Sequence, residues 1–209
     1  MVDFLLVLFT MTLLYAAIAN RMQTYLRILI LQGAILSILS YFMLTKIEIY
    51  NIILIIAENL FFKTIAVPWF LRSIIKRNQI TRETEPYLPN FVSLIIVTVI
   101  ILISIVIATS INDIFVVKNL FIVAISTLFS ALYLIMSRKK IITHVICYLI
   151  LENGVFLLSI STGNEMPILV NLGIMLDIFA SVLILGIFFN KIGDVLKEPD
   201  VGLLRNLKD

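Results

Sequence analysis

The chain has 209 residues, of which 61% are hydrophobic and 14% are charged. Soluble domains carry about 45–50% apolar and about 25% charged residues, so a water-soluble core of this length could not bury so much apolar surface. The formal net charge of +3 is spread over short breaks between apolar runs, a distribution that favours membrane orientation over nucleic-acid binding. The composition therefore predicts an all-α integral membrane protein.

The residues needed for redox or nucleotide chemistry are scarce. One cysteine, Cys147, and one histidine, His144, exclude an iron–sulfur centre and a haem with two histidine ligands in this chain. Neither a Walker A loop nor a GxGxxG turn occurs, so nucleotide hydrolysis is not expected. We predict a chain with no cofactor, no metal and no redox centre of its own.

Apolar runs of about 20 residues, the length that crosses a bilayer, predict about seven transmembrane helices. In chain order these helices are 2–20, 26–45, 49–71, 91–111, 115–136, 141–162 and 167–189. The same pattern divides the chain into a first group of three helices (1–71), a basic loop (72–90), a second group of four helices (91–189) and a polar tail (190–209).

Basic residues predict the orientation of these helices. With seven spans, thirteen Lys and Arg residues fall in the loops, at helix ends and in the tail on one side of the membrane, and only Lys46 and Lys118 fall on the other. The positive-inside rule then places the N-terminus outside and the C-terminus in the cytoplasm of a cell (inner) membrane.

Four ionisable residues lie well inside the predicted spans: Glu58, Lys63, Glu152 and Asp177. Because Asp or Lys at a helix centre costs about 2.5–3.5 kcal/mol, each of them requires compensation. Glu152 and Asp177 lie midway along two consecutive helices, so their carboxyl groups are expected to meet near the middle of the bilayer. Burial and like-charge repulsion then favour the protonated form of at least one of them, as a proton carrier requires.

Further polar residues extend this predicted proton pathway. His144, Tyr148 and Glu152 follow i, i+4, i+8 spacing and span about 12 Å, which suits a water-bridged relay from the cytoplasmic end. Glu58 and Lys63 are about 140° apart around an α-helix, so Lys63 is expected to find a partner on another helix.

Structural interpretations of the same residues stay open. Lys63 could snorkel to the interface or pair with Glu58 through a neighbouring helix without taking part in transport. A protonated Glu152 could hydrogen-bond Asn153 or Asn171 as part of helix packing. His144 could be a solvated residue beside the basic turn 138–140.

Several segments resemble the hydrogenase-4 component E family: 58–69 around Lys63 and Pro68, 151–155, 173–177 and 200–207. The last three helices of that family are similar to the K subunit of complex I and the C subunit of multisubunit cation/proton antiporters. In this resemblance 138–140 is the basic turn, and Glu152 and Asp177 are the two buried carboxyls. Glu152 lies about a turn further into its helix than the first glutamate of the K subunit, and Asp177 stands in place of a glutamate.

The resemblance implies a subunit in the membrane arm of a complex-I-like ion pump, such as a membrane-bound hydrogenase or formate hydrogenlyase. Its expected partners are other membrane-arm subunits, including antiporter-like ones, the surrounding lipid bilayer, and peripheral redox subunits that carry iron–sulfur clusters and a nickel–iron centre. Two further hypotheses remain. One is a purely structural connector in such a complex. The other is a stand-alone transporter, which the absence of clear inverted repeats disfavours.

Overall fold

The computed structural model describes residues 1–43, 58–77, 86–110 and 116–162, and these residues are helical except at the connections. The helices are α1 Val2–Ile18, α2 Met22–Met43, a π-helical segment Glu58–Ala66 that continues as α3 Val67–Arg77, α4 Asn90–Ser110, α5 Lys118–Ser137 and α6 Ile141–Ser161. Within the described part of the chain, the prediction of an all-helical fold is confirmed.

Four of these helices, α2, α4, α5 and α6, are long and apolar enough to cross a membrane, and α1 is apolar but shorter. At about 1.5 Å per residue, the 22 residues of α2 extend about 33 Å, enough for a hydrocarbon core of about 30 Å. These lengths and compositions indicate a membrane location. The predicted helix 167–189, the predicted tail and residues 78–85 of the basic loop lie outside the described residues.

Two predicted helix boundaries are wrong. The second helix begins at Met22 instead of residue 26, and the third continues to Arg77 instead of ending at residue 71. The predicted third helix ended just before Arg72, which was assigned to the basic loop. A long arginine side chain can reach the interface while its backbone stays helical, so Arg72 lies within α3.

The segment before α3 differs from the prediction in its periodicity. Residues Glu58–Ala66 form a π-helix, in which hydrogen bonds join residues five apart. The separation of 140° between Glu58 and Lys63 was derived for an α-helix and therefore does not apply here. Elsewhere such segments are frequent at functional sites.

Hydrogen bonds between connecting segments show that the end of α1 lies beside the start of α4 in space. The Asn90 side-chain amide donates to Asn20 Oδ1 at 2.8 Å, and the Tyr87 N–H donates to the Ser137 carbonyl at 2.9 Å. The ends of α1 and α5 and the starts of α2, α4 and α6 therefore lie together. We call this the basic end, because most of the described cations of the connections lie there. These are Arg21, Arg138, Lys139 and Lys140.

The opposite end is held by a second pair of contacts. Asn119 donates from its amide to Asp3 Oδ1 at 2.8 Å, and the Val117 N–H donates to the Ser161 carbonyl at 2.9 Å. The helices thus alternate in direction between two ends, and Lys118 is the cation described at this second end.

Close approach of helices depends on two glycines. A Cβ at Gly154 of α6 would lie 3.1 Å from the Leu128 nitrogen and 3.1 Å from Thr127 Cβ on α5. A Cβ at Gly33 of α2 would lie 2.6 Å from Thr64 Oγ1 of the π-helical segment. In both places the missing side chain lets two backbones pack closely, which is how helices associate in lipid.

Candidate functional site

Lys63 and Glu152 come from different helices and line the same small cavity. Each is about 7% exposed. The cavity has a volume of about 10 Å³, close to the lower limit for one water molecule. The rest of its wall is Leu29, Val67, Leu149 and Asn153. A buried amine and a buried carboxyl are each expensive alone, so this placement lets each offset the charge of the other.

The face that α6 presents to Lys63 also carries an aromatic ring. The Lys63 ammonium lies 5.1 Å from the centroid of the Phe156 ring, within the range of a cation–π interaction. Phe156 is one helical turn after Glu152, so the ring and the carboxyl share a face. Lys63 is thus directed toward α6, a helix remote from it in sequence.

A chain of hydrogen bonds adjoins this cavity and joins three helices. The Asn153 amide on α6 donates to Gln32 Oε1 on α2 at 3.1 Å, and the Gln32 amide donates to Thr12 Oγ1 on α1 at 2.9 Å. The Thr12 hydroxyl donates to the Phe9 carbonyl at 2.6 Å, which ends the chain on the backbone. Since Asn153 follows Glu152 directly, this chain fixes the register of α6 at the carboxyl group.

The cavity and the chain lie at the middle of the bundle. Gln32 is near the midpoint of α2, and Glu152 is near the midpoint of α6. At about 1.5 Å per residue, both are roughly 15 Å from either helix end. The charged and polar groups therefore meet at the depth where water is least available in a bilayer.

The predicted relay residues occupy surfaces of different exposure. His144 is half-buried and donates from Nε2 to the Arg138 carbonyl at 2.6 Å, whereas Tyr148 is 37% exposed and Glu152 is buried. Successive i, i+4 positions advance by about 40° around an α-helix, so the stripe turns by about 80° over eight residues. In the described residues, this stripe passes over the outer surface of α6 before it reaches the cavity.

Two predicted acids cannot be placed in the site. Asp177 lies outside the described residues, and so does the side chain of Glu58. The predicted meeting of Glu152 with Asp177 therefore stays a prediction. The structure instead brings Glu152 to Lys63, which sequence spacing alone had not joined.

Arg138 lies in a different environment from the one expected of a basic turn. It is 1% exposed, and its Nη2 donates to the carbonyls of Ala16 and Ala17 at 3.3 and 2.8 Å. Tyr25 donates from its hydroxyl to the same Ala16 carbonyl at 2.9 Å, and its ring centroid lies 5.8 Å from the guanidinium carbon. Carbonyls at a helix C-terminus lack partners and carry partial negative charge, so a buried guanidinium caps α1.

Gln32 and Thr12 were not among the predicted site residues. A strongly polar amide within the apolar run of α2 was the available signal, since such side chains usually hydrogen-bond across helices in membranes. Thr12 gave no such signal, because a threonine hydroxyl can bond the backbone of its own helix.

Comparison with known proteins adds little to this geometry. No model of a known protein family matches the chain, and no solved structure matches it. A protein of Mycobacterium tuberculosis described as "Uncharacterized protein Rv0085" is 23% identical over 150 residues, which cover 70% of this chain and 68% of that protein. That description names no activity.

Proposed function

We propose that this chain is a membrane-arm subunit of a complex-I-like, redox-driven ion pump of the hydrogenase-4 type, and that its buried charges take part in proton translocation or coupling. The observation that carries the proposal is the cavity that Lys63 and Glu152 share, with Glu152 near the midpoint of the apolar helix α6. Ionisable groups at that depth are costly and in membrane proteins typically mark ion pathways.

The proposed chemistry is an exchange of one proton at Glu152. The Lys63 ammonium stabilises the carboxylate form of Glu152, and a proton that reaches Glu152 weakens this attraction. His144 and Tyr148 would deliver the proton from the basic end, and Asp177 would receive it. A cavity with room for about one water molecule suits a short transfer step at Glu152.

The resemblance to hydrogenase-4 component E supplies the context of the proposal. The apolar runs predict seven transmembrane helices, and the positive-inside rule places the N-terminus outside and the C-terminal tail in the cytoplasm of the cell membrane. Antiporter-like subunits would adjoin this chain. Peripheral subunits would hold the iron–sulfur clusters and the nickel–iron centre, and their electron transfer would drive the ion movement.

The test is Glu152→Gln, Lys63→Met and Asp177→Asn, each in the intact complex. We expect each change to lower proton translocation per electron by at least about tenfold while redox turnover with artificial acceptors persists. Proton uptake into inside-out vesicles provides the measurement.

Asp3→Asn is the matched control, because it makes the same carboxyl-to-amide change at an exposed position. It should leave translocation unchanged. Full pumping by the Glu152→Gln and Asp177→Asn double variant would remove the proposed mechanism.

A structural connector is the second candidate. The chain from Asn153 through Gln32 to Thr12 favours it, because amides bonded in a fixed order hold helices together and do not carry protons. In that case Glu152→Gln would reduce the amount of complex recovered, and the complex that does assemble would pump normally.

A further inference from the structure

A cleft at the basic end separates α2 from the π-helical segment and α3. It has a volume of about 300 Å³, which is at the lower end of the range for small-molecule sites, about 300–1,000 Å³. Arg27 and Gln23 line it from α2, and Arg72 lines it from α3. Both arginines are exposed. Two guanidinium groups therefore face one opening from two helices.

The two arginines lie at matching depth. Arg27 is five residues from the start of α2, and Arg72 is five residues from the end of α3. The two helices run in opposite directions. Both arginines therefore lie about 7.5 Å along the helix axis from the helix end at the basic end. Such a pair can bind one phosphate group from two sides.

The cleft becomes apolar away from the arginines. Ile30 is about one turn deeper than Arg27 on α2, and Ile65 lies on the opposing wall. Both side chains are exposed, at 39% and 55%. The opening thus offers cationic groups near the interface and hydrocarbon further in.

An exposed tryptophan marks the level of the interface. Trp69 lines the cleft one turn before Arg72 and is 72% exposed. Tryptophan is enriched where hydrocarbon meets headgroups, because its ring is apolar and its N–H is polar. The arginines beside it therefore lie at the depth of lipid phosphates.

We propose that this cleft is a binding site for an anionic phospholipid. The phosphodiester lies between Arg27 and Arg72, and an acyl chain follows Ile30 and Ile65. Basic pockets between transmembrane helices bind anionic headgroups in this way. The site is separate from the cavity of Lys63 and Glu152, and it does not depend on the function proposed for that cavity.

The experiment uses the full chain purified in mild detergent with mixed micelles of dioleoylphosphatidylglycerol or dioleoylphosphatidylcholine. Retained lipid is quantified by mass spectrometry, and the midpoint of thermal unfolding is measured alongside. We expect the wild-type chain to retain phosphatidylglycerol preferentially and to be stabilised by it. Arg27→Gln with Arg72→Gln should weaken this binding about thirtyfold, since each interfacial arginine contributes a factor of about five.

Arg21→Gln with Lys76→Gln is the matched control. It removes two exposed cations from the same end of the molecule, and neither residue lines the cleft. This control should keep the preference for phosphatidylglycerol. If both double variants lost phosphatidylglycerol binding equally, general surface charge would explain the binding. That result would overturn the proposed site.

Three further outcomes also bear on the proposal. Equal stabilisation by phosphatidylcholine overturns it, and this measurement needs no variant. Binding of glycerol 3-phosphate as tight as that of the lipid would assign the cleft to a soluble phosphate compound. Loss of a co-purifying protein from the Arg27/Arg72 variant with unchanged lipid would assign the cleft to a protein partner.

Discussion

Arg138 connects the turn between α5 and α6 to the end of α1. Its guanidinium is buried and donates to the carbonyls of Ala16 and Ala17 in the last turn of α1. The positive charge also lies at the negative end of the α1 dipole. A residue that the positive-inside rule counts only as a charge thus also holds two parts of the fold together.

We expect Arg138→Met to destabilise the protein by about 2–3 kcal/mol, because hydrogen bonds from a charged donor are lost while the carbonyls stay buried. Arg138→Lys should recover part of this loss, since an ammonium can donate to one carbonyl but lacks the planar fork. Denaturant-induced unfolding in detergent micelles, followed by circular dichroism, measures both changes.

The neighbouring Lys139 provides the control for Arg138. It is only half-buried, and its ammonium lies 5.2 Å from the centroid of the Tyr87 ring. Lys139→Met removes the same charge and should cost less than about 1 kcal/mol. Equal destabilisation by the two substitutions would contradict a special role for the buried guanidinium.

At the scale of the element, the α5–α6 hairpin depends on close backbone contact. A Cβ added to Gly154 would lie 3.1 Å from the backbone nitrogen of Leu128 and 3.1 Å from two side-chain carbon atoms of Thr127. A neighbour would therefore have to move by a few tenths of an ångström to admit even one methyl group. The same helix carries Glu152 and Asn153, so a shift of α6 would also move the cavity.

We predict that Gly154→Ala destabilises the protein by about 1 kcal/mol and Gly154→Leu by about 3 kcal/mol or more, as overpacking does. Thermal unfolding of the purified variants measures the effect. Ser110→Leu, a small-to-large change at an exposed position of α4, should be nearly neutral. A Gly154→Leu variant as stable as the wild type would mean that α5 and α6 do not pack this closely.

At the scale of the whole molecule, the antiparallel helices separate a basic end from an opposite end. Leu88 is exposed at the basic end, and Val117 is exposed at the other. If the positive-inside rule sets the orientation, Leu88 faces the cytoplasm and Val117 faces outward. The buried Cys147 leaves the wild-type chain without an accessible thiol in the described residues.

Cysteine labelling tests this orientation. A membrane-impermeant maleimide should label Val117→Cys in intact cells and Leu88→Cys only in inside-out vesicles. The wild-type chain should stay unlabelled in both, because Cys147 is fully buried. Labelling in the reverse pattern would mean that the N-terminus lies inside.

Much of the architecture was predictable from hydropathy. The apolar runs predicted the helices now described as α1, α2, α4, α5 and α6, with errors of a few residues at their ends. They also identified Lys63 and Glu152 as ionisable residues inside the spans. Hydropathy succeeds here because the composition of a segment decides whether that segment lies in lipid or in water.

Only the tertiary structure decided which of these residues meet. Lipid is as apolar as a leucine side chain, so hydropathy does not select helix neighbours or their rotation about the axis. Helix neighbours and rotations are selected by close approach at glycines and by hydrogen bonds between polar groups. For this reason the cavity shared by Lys63 and Glu152, the burial of Arg138 and the cleft between Arg27 and Arg72 became visible only in the tertiary structure.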